Sequence, residues 1–312
     1  MSHQPIIIDT GYLRPGLCAA YLLQENRRAA LIDCGTATCA GRVLAALEAA
    51  GVAREAVDWL LVTHVHLDHA GAAGPLIRAL PNARLVVHPR GAPHMIDPTR
   101  LIAGARAVYG EAMFERDHAG MLPVPSERVV VAGDGHVVDL AGRELLCVDT
   151  PGHARHHYSV WDARTRSWFA GDAFGLSYRE FDNDNGAFIV PTTSPVQFDP
   201  DEMKDSVRKL VARDPAAIHV AHYGAVTECA RLADDMRVMV DAMVSIAQAA
   251  DGHEDRHARM VTGLTDLCVE RARTHGVADA QARVAEVLGN DIEINAQGLG
   301  VWLDRLAKTR AG

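Results

Sequence analysis

Thr63-His64-Val65-His66-Leu67-Asp68-His69 sets three histidines and an aspartate within seven consecutive positions, directly after the strand-like run Val57–Thr63. On an extended strand alternate residues share a face, so His64 and His66 converge on one point. Asp68 and His69 follow the strand and can swing toward a second point. Imidazole suits Zn, Fe or Mn, and a carboxylate beside it adds the negative charge that neutralises an ion. Three later segments have the same character: Asp149-Thr150-Pro151-Gly152-His153, Ala170-Gly171-Asp172 and Ala221-His222-Tyr223-Gly224. Each puts its histidine or aspartate at an expected strand-to-loop corner. Side chains from separate strands meet in this way at one edge of a sheet.

The rest of the pattern agrees with such sheets. Ile6–Asp9, Cys18–Leu23, Ala29–Asp33 and Arg84–His88 read as strands, and Arg42–Ala50 and Gly74–Leu80 as helices. The stretch from Thr99 to Met121 reads as helix and then loop, a candidate flap over a pocket. A second β-rich block is expected from Arg128, with strands at Val129–Val131, His136–Leu140, Glu144–Asp149, Tyr158–Trp161, Ser167–Ala170 and Ala217–Ala221. Halves of about 1–122 and 123–225, each supplying histidines, read as a two-layer pseudo-repeat. Gly175–Pro200, rich in Asp, Asn, Gly and Pro, reads as a long ordered loop, a length that more often signals function than accident. A helix is expected at Asp201–Arg213. From Thr227 the spacing is helical almost throughout, broken at Asp251-Gly252 and around His275–Asp279. The expected domains are therefore 1–226, carrying the chemistry, and 227–312, a helical extension.

Composition narrows the function. The net charge of −9 and the lack of any Lys/Arg-rich block disfavour nucleic acid as a partner. The apolar runs are too short to span a bilayer, and the first residues carry no secretory pattern. The six cysteines form no Cys-x-x-Cys pair, which fits buried thiols in a reducing compartment. A cytoplasmic protein acting on a small molecule, with no membrane partner, is the expectation.

His-x-His-x-Asp-His, then Thr-Pro-Gly-His, Gly-Asp and a late His, resembles the metallo-β-lactamase superfamily over about residues 5–225. The resemblance implies an α/β fold, a four-layer αββα sandwich with its site at one edge of two sheets. It implies one metal ion on His64, His66 and His153, a second on Asp68, His69 and His222, and Asp172 bridging them. Asp33, in Leu31-Ile32-Asp33-Cys34-Gly35, resembles the family's early Asp-x-Gly turn, which supports the ligands from behind. Thr-Pro-Gly-His-x-x-x-His is similar to the glyoxalase II-like branch, where the second histidine, here His157, is not a ligand. Ala154, Arg155 and His156 stand between the two, and Arg155 and His156 read as exposed loop residues. The other histidines (3, 88, 94, 118, 136, 219, 253, 257 and 275) read as structural or surface groups.

Two divalent ions, zinc in the first place with iron or manganese compatible, would lower the pKa of a shared water and polarise a substrate oxygen. Asp68 would ligate and orient the nucleophile, and Tyr223 is a candidate oxyanion or leaving-group partner. The expected activity is hydrolysis of a small ester, thioester or lactone. Phe174, Tyr178, Phe181 and Phe188 hint at an apolar pocket or, equally, at a loop's own small core. The alternatives are a sulfur dioxygenase with one iron on the same fold and a regulatory interaction protein that retains it. Leu299, Trp302, Leu303 and Leu306 fall at core spacing in the last helix. That helix packs on the catalytic domain, joins a homodimer, or caps the site.

Overall fold

The computed structural model describes residues 3–193, 195 and 197–311. Two six-stranded sheets run through it. The first consists of β1 (Ile6–Asp9), β2 (Ala19–Glu25), β3 (Arg28–Ile32), β4 (Val57–Leu61), β5 (Arg84–Val87) and β6 (Val129–Val131), side by side in that order. The second is β7 (Val137–Leu140), β8 (Arg143–Asp149), β9 (Tyr158–Asp162), β10 (Ser167–Leu176), β11 (Ala217–His222) and β12 (Gly224–Val226). The helices are α1 (Ala40–Ala49), α2 (Leu67–Ala70), α3 (Ala73–Ala79), α4 (Ala92–Ile96), α5 (Thr99–Tyr109), α6 (Glu111–Asp117), α7 (Pro200–Val211), α8 (Cys229–Ala250), α9 (Arg256–Thr274) and α10 (Ala280–Ala311). The chain forms two compact units. One holds the residues through Asp149 with His156–Gly171 and Ala216–Ala225; the other holds Thr150–Arg155, Asp172–Pro215 and the residues from Val226 on.

Local chemistry explains the pairings in the first unit. Asn26 and Arg27 both take positive φ (45° and 64°), the twist a two-residue hairpin needs, and β2 and β3 pair antiparallel around them. Ala141 and Gly142 do the same between β7 and β8. The parallel pairs β3–β4, β4–β5 and β5–β6 need crossovers, which α1, α2–α3 and α4–α6 supply. These helices bury Val43, Leu47, Leu76, Ile77, Met95 and Phe114 in one cluster with Leu22, Leu31, Leu60 and Leu85 from the sheet. The opposite face of that sheet gives Tyr21, Ile32, Leu61 and Val86 to a second cluster, joined by Leu140, Leu145, Val160 and Phe169 of the other sheet. Each such side chain stabilises the fold by about 1.5–3 kcal/mol. Two buried tyrosines cross between the sheets: Tyr158 donates its hydroxyl to the Val86 carbonyl at 2.9 Å, and Tyr21 donates to that of Val220.

Some expectations require correction. Val129–Val131 pairs in parallel with β5 and closes the first sheet instead of opening the second block. The strand expected to end at Ala170 continues to Leu176. β4 stops at Leu61, so His64 and His66 lie beyond the strand, while Asp68 and His69 ride the single turn of α2. Gly110 divides the expected flap into α5 and α6, and Phe114, Met121, Leu101 and Ile102 dock it on the first core. All six cysteines are buried free thiols, and burial pushes Cys147 and Cys268 up to about 12.

In the second unit α8, α9 and α10 pack together, with α7 against α8. The expected 175–200 loop, whose residues 194 and 196 lie outside the described ones, is closed by a β-bridge between Leu176 and Val190. Phe181 stacks on Phe188 at 5.0 Å, Phe188 meets His275 at 5.4 Å, and the Tyr178 hydroxyl reaches Asp291 at 3.3 Å. These aromatics, with the buried Phe174, are core. Leu299, Trp302 and Leu303 are buried as their spacing predicts, with Trp302 edge-on to Phe198 at 6.5 Å. Among the described residues no helix is long and apolar enough to cross a membrane.

Candidate metal centre

In the first unit His69, Asp68 and His222 meet, with ligand atoms all within 4.8 Å of one another. Nε2 of His69 and Nε2 of His222 each stand 3.4 Å from Oδ2 of Asp68. Ligands about 2.0–2.1 Å from one tetrahedral ion stand roughly 3.3–3.4 Å apart, so both separations from the Asp68 oxygen match those of ligands sharing one ion. The far side of each ring is fixed. Nδ1 of His69 lies 3.2 Å from Oδ2 of Asp33, and Nδ1 of His222 lies 2.8 Å from the Leu17 carbonyl oxygen. A ring that donates from Nδ1 offers a lone pair at Nε2, which is how a histidine is prepared for a metal. Burial pushes the Asp68 carboxyl up, but the charges and hydrogen bonds of His69 and His222 outweigh it and hold the group well below the usual carboxylate range.

His64 and His66 form a second set beside this one. Nε2 of His64 lies 2.9 Å from Nδ1 of His66, and the His64 ring is 4.1 Å from that of His69. Thr63 links them to the scaffold: its backbone N–H donates to Asp33 at 2.7 Å, its hydroxyl donates to the same carboxylate, and its carbonyl accepts from Tyr158 N–H at 3.0 Å. Gly171 fits here because a Cβ at its position would lie 2.6 Å from both Nε2 of His157 and Oγ1 of Thr63. His157 is fully buried, 4.9 Å ring to ring from His64. His156 is buried as well, against its expected exposure. Its Nδ1 receives the Val65 N–H at 3.5 Å, while Arg155 is exposed as expected. The difference arises because the chain turns inward after Arg155 to enter β9.

The second unit carries the other two expected ligands. His153 Nε2 lies 3.5 Å from Asp172 Oδ2, and its Nδ1 faces the Thr192 carbonyl oxygen at 3.2 Å. The Pro151-Gly152 turn presents it: Asp199 N–H donates to Gly152 O at 2.8 Å, and Ser206 donates to Pro151 O at 2.6 Å. Asp172 was expected at a strand end, but it lies inside the longer β10. Tyr223 is half-buried, its ring packed on the inter-sheet cluster.

Several supports carry no signal in residue type. The Leu17 and Thr192 carbonyls are backbone groups, invisible to any motif. The thiols of Cys18 and Cys34 donate to the carbonyls of Asp68 (3.3 Å) and His69 (3.1 Å), holding the ligand turn from two sides. His118, read as a bland histidine, is buried, accompanies Tyr12 at 3.2 Å and feels the Asp68 charge.

The model of the metallo-β-lactamase superfamily matches residues 13–222. The chain belongs to that superfamily. The metallo-β-lactamase fold-containing protein ST1585 of Sulfurisphaera tokodaii is 27% identical over 175 residues, which cover 55% of this chain and 62% of that relative. The atrochrysone carboxyl ACP thioesterase of Aspergillus fumigatus is 25% identical over 269 residues, 86% of this chain and 66% of the thioesterase. Among solved structures, ST1585 from Sulfolobus tokodaii superposes with a TM-score of 0.65 at 20% identity, covering 96% of this chain and 99% of that one. The metallo-β-lactamase family protein TTHA1429 from Thermus thermophilus gives 0.61 at 20% identity, over 91% and 94%. These likenesses extend the family's fold, two mixed sheets with helices, to the C-terminal helices.

Proposed function

We propose that the chain is a cytoplasmic metallo-hydrolase with a dinuclear centre, zinc being the expected metal, that cleaves a small ester, thioester or lactone. One ion would be held by His64, His66 and His153 and the other by Asp68, His69 and His222, with Asp172 shared. The observation that carries the reading is the convergence of two imidazole Nε2 atoms on one Asp68 oxygen, with both Nδ1 atoms engaged on the far side. When bound, the ions supply Lewis acidity and a nucleophile at neutral pH. Asp68, held anionic, accepts and orients a proton beside them. Tyr223 is assigned the leaving-group side, next to His222 in sequence. In this reading residues 1–226 carry the chemistry and 227–312 form a helical extension. The thioesterase relative favours an acyl substrate, and a family model matched over two thirds of the chain favours hydrolysis in general.

The test is metal content per chain in protein purified without chelator, followed by a panel of esters, thioesters and lactones. About two equivalents of zinc and turnover of one class are expected. One equivalent of iron with oxygen uptake would instead select the sulfur dioxygenase. A chain that takes up no metal would leave the interaction protein.

A further inference from the structure

Asn295 sits where its helix should be apolar. In α10 it shares a stripe with Ile292, Ala296, Leu299, Trp302 and Leu303, all buried, and is itself only 3% exposed. An asparagine has low helix propensity, and burying its amide without partners is costly, so leucine would serve packing better. Both polar atoms of the amide are bonded, and the bonds go to one short stretch of the 172–215 segment. Nδ2 donates to the Pro191 carbonyl at 3.0 Å, Oδ1 accepts the Thr193 N–H at 2.7 Å, and the Asn295 carbonyl accepts from the Thr193 hydroxyl at 3.2 Å. Thr192 lies between those two anchored residues. Its carbonyl is the group that faces Nδ1 of His153 at 3.2 Å, while Nε2 of the same ring faces Asp172.

We propose that Asn295 is a positioning residue for His153, acting through the Pro191–Thr193 backbone to fix the ring's orientation and tautomer. The proposal rests on the reading of His153 as a metal ligand. It gives the C-terminal helix a part in the metal centre without contact with substrate. Bonds on both sides of Thr192 fix its peptide planes, and a carbonyl so fixed accepts Nδ1–H in one direction. With Nδ1 protonated, Nε2 keeps its lone pair for an ion. Groups that orient a ligand in this way typically contribute about 10–100-fold in metal affinity.

The experiment measures zinc affinity of the full-length chain by chelator competition, together with the visible spectrum of the cobalt-loaded protein. Asn295→Leu keeps the γ-branched shape and removes the amide; zinc should bind about tenfold or more weakly, with an altered cobalt spectrum. Asn295→Asp keeps the acceptor for Thr193 N–H and should restore part of the affinity. Thr193→Val removes only the hydroxyl bond and should give a smaller loss, which keeps the question open to test if Asn295→Leu does not fold. Asn183→Ala breaks a different bond between loop and helices, Asn183 Nδ2 to the His275 carbonyl at 3.0 Å, and should leave zinc affinity unchanged. Folded Asn295→Leu with wild-type affinity and spectrum would overturn the proposal, as would an equal loss in Asn183→Ala. His153→Ala separates the two readings. If it leaves zinc binding intact, the ligand assignment fails; if it removes an ion while Asn295→Leu does not, only the positioning role fails.

Discussion

Asp33 Oδ2 stands 3.2 Å from Nδ1 of His69 while Oδ1 of the same carboxylate accepts the backbone N–H of Thr63 at 2.7 Å. One side chain therefore fixes both ends of the His-x-His-x-Asp-His segment. Asp33→Asn should weaken zinc at the Asp68/His69/His222 position by about 10–100-fold, read by chelator competition. Asp33→Ala should additionally cost about 1–3 kcal/mol in urea unfolding of the metal-free protein, because the buried Thr63 donors lose their acceptor. Unchanged zinc affinity in both would refute the supporting role.

Asp172 is assigned to both ions, so its replacement should not act on one alone. Asp172→Asn is expected to lower the content of both metals together, measured as equivalents bound at limiting zinc. His66→Ala, by contrast, should remove the ion shared with His64 and His153 and abolish turnover while the protein still folds. A variant Asp172→Asn that loses one ion and holds the other normally would contradict the bridge.

Gly152 adopts φ 124°, and a Cβ there would stand 2.3 Å from the backbone N and Cα of Met203 in α7. Backbone cannot rotate away as a side chain does. Gly152→Ala should lower unfolding stability by about 2 kcal/mol or more and shift His153 with it. An unaltered urea midpoint would show that α7 yields freely.

His219 is buried between the sheets, stacked on Phe169 at 4.8 Å, and neither ring nitrogen has a hydrogen-bond partner among the described residues. Burial pushes its pKa down to about 4, with Asp162 opposing weakly. Unfolded, the same ring titrates at about 6.5. Between these values the unfolded chain binds the proton that the folded one refuses, so the contribution is complete above about pH 6.5 and is lost as pH falls toward 4. The loss is on the order of 3 kcal/mol. His219→Phe should remove that part of the acid sensitivity, compared with the parent in metal-free urea unfolding at pH 7 and 4.5. Identical pH dependence in the two proteins would show that His219 does not carry it.

The sequence by itself marked the candidate ligands and most of the local elements. Histidine and aspartate are chosen by what a metal accepts, and their spacing in Thr63–His69 and Thr150–His153 follows from the turn that presents them. Hydrophobic runs and turn residues marked most strands for the same local reason. Tertiary structure decided what depends on distant partners. Val129–Val131 reads as a strand in any context, but only the parallel edge left open by β5 assigns it to the first sheet. Phe181 and Phe188 suit a pocket or a core equally in sequence, and their stacking beside His275 decides for core. The carbonyls of Leu17 and Thr192 belong to residues whose side chains carry no such information. Asn295 acquires meaning only because folding brings it to Thr193, 102 positions away. Donor identity is written in side chains, whereas donor orientation is set by backbone groups that the fold alone brings into place.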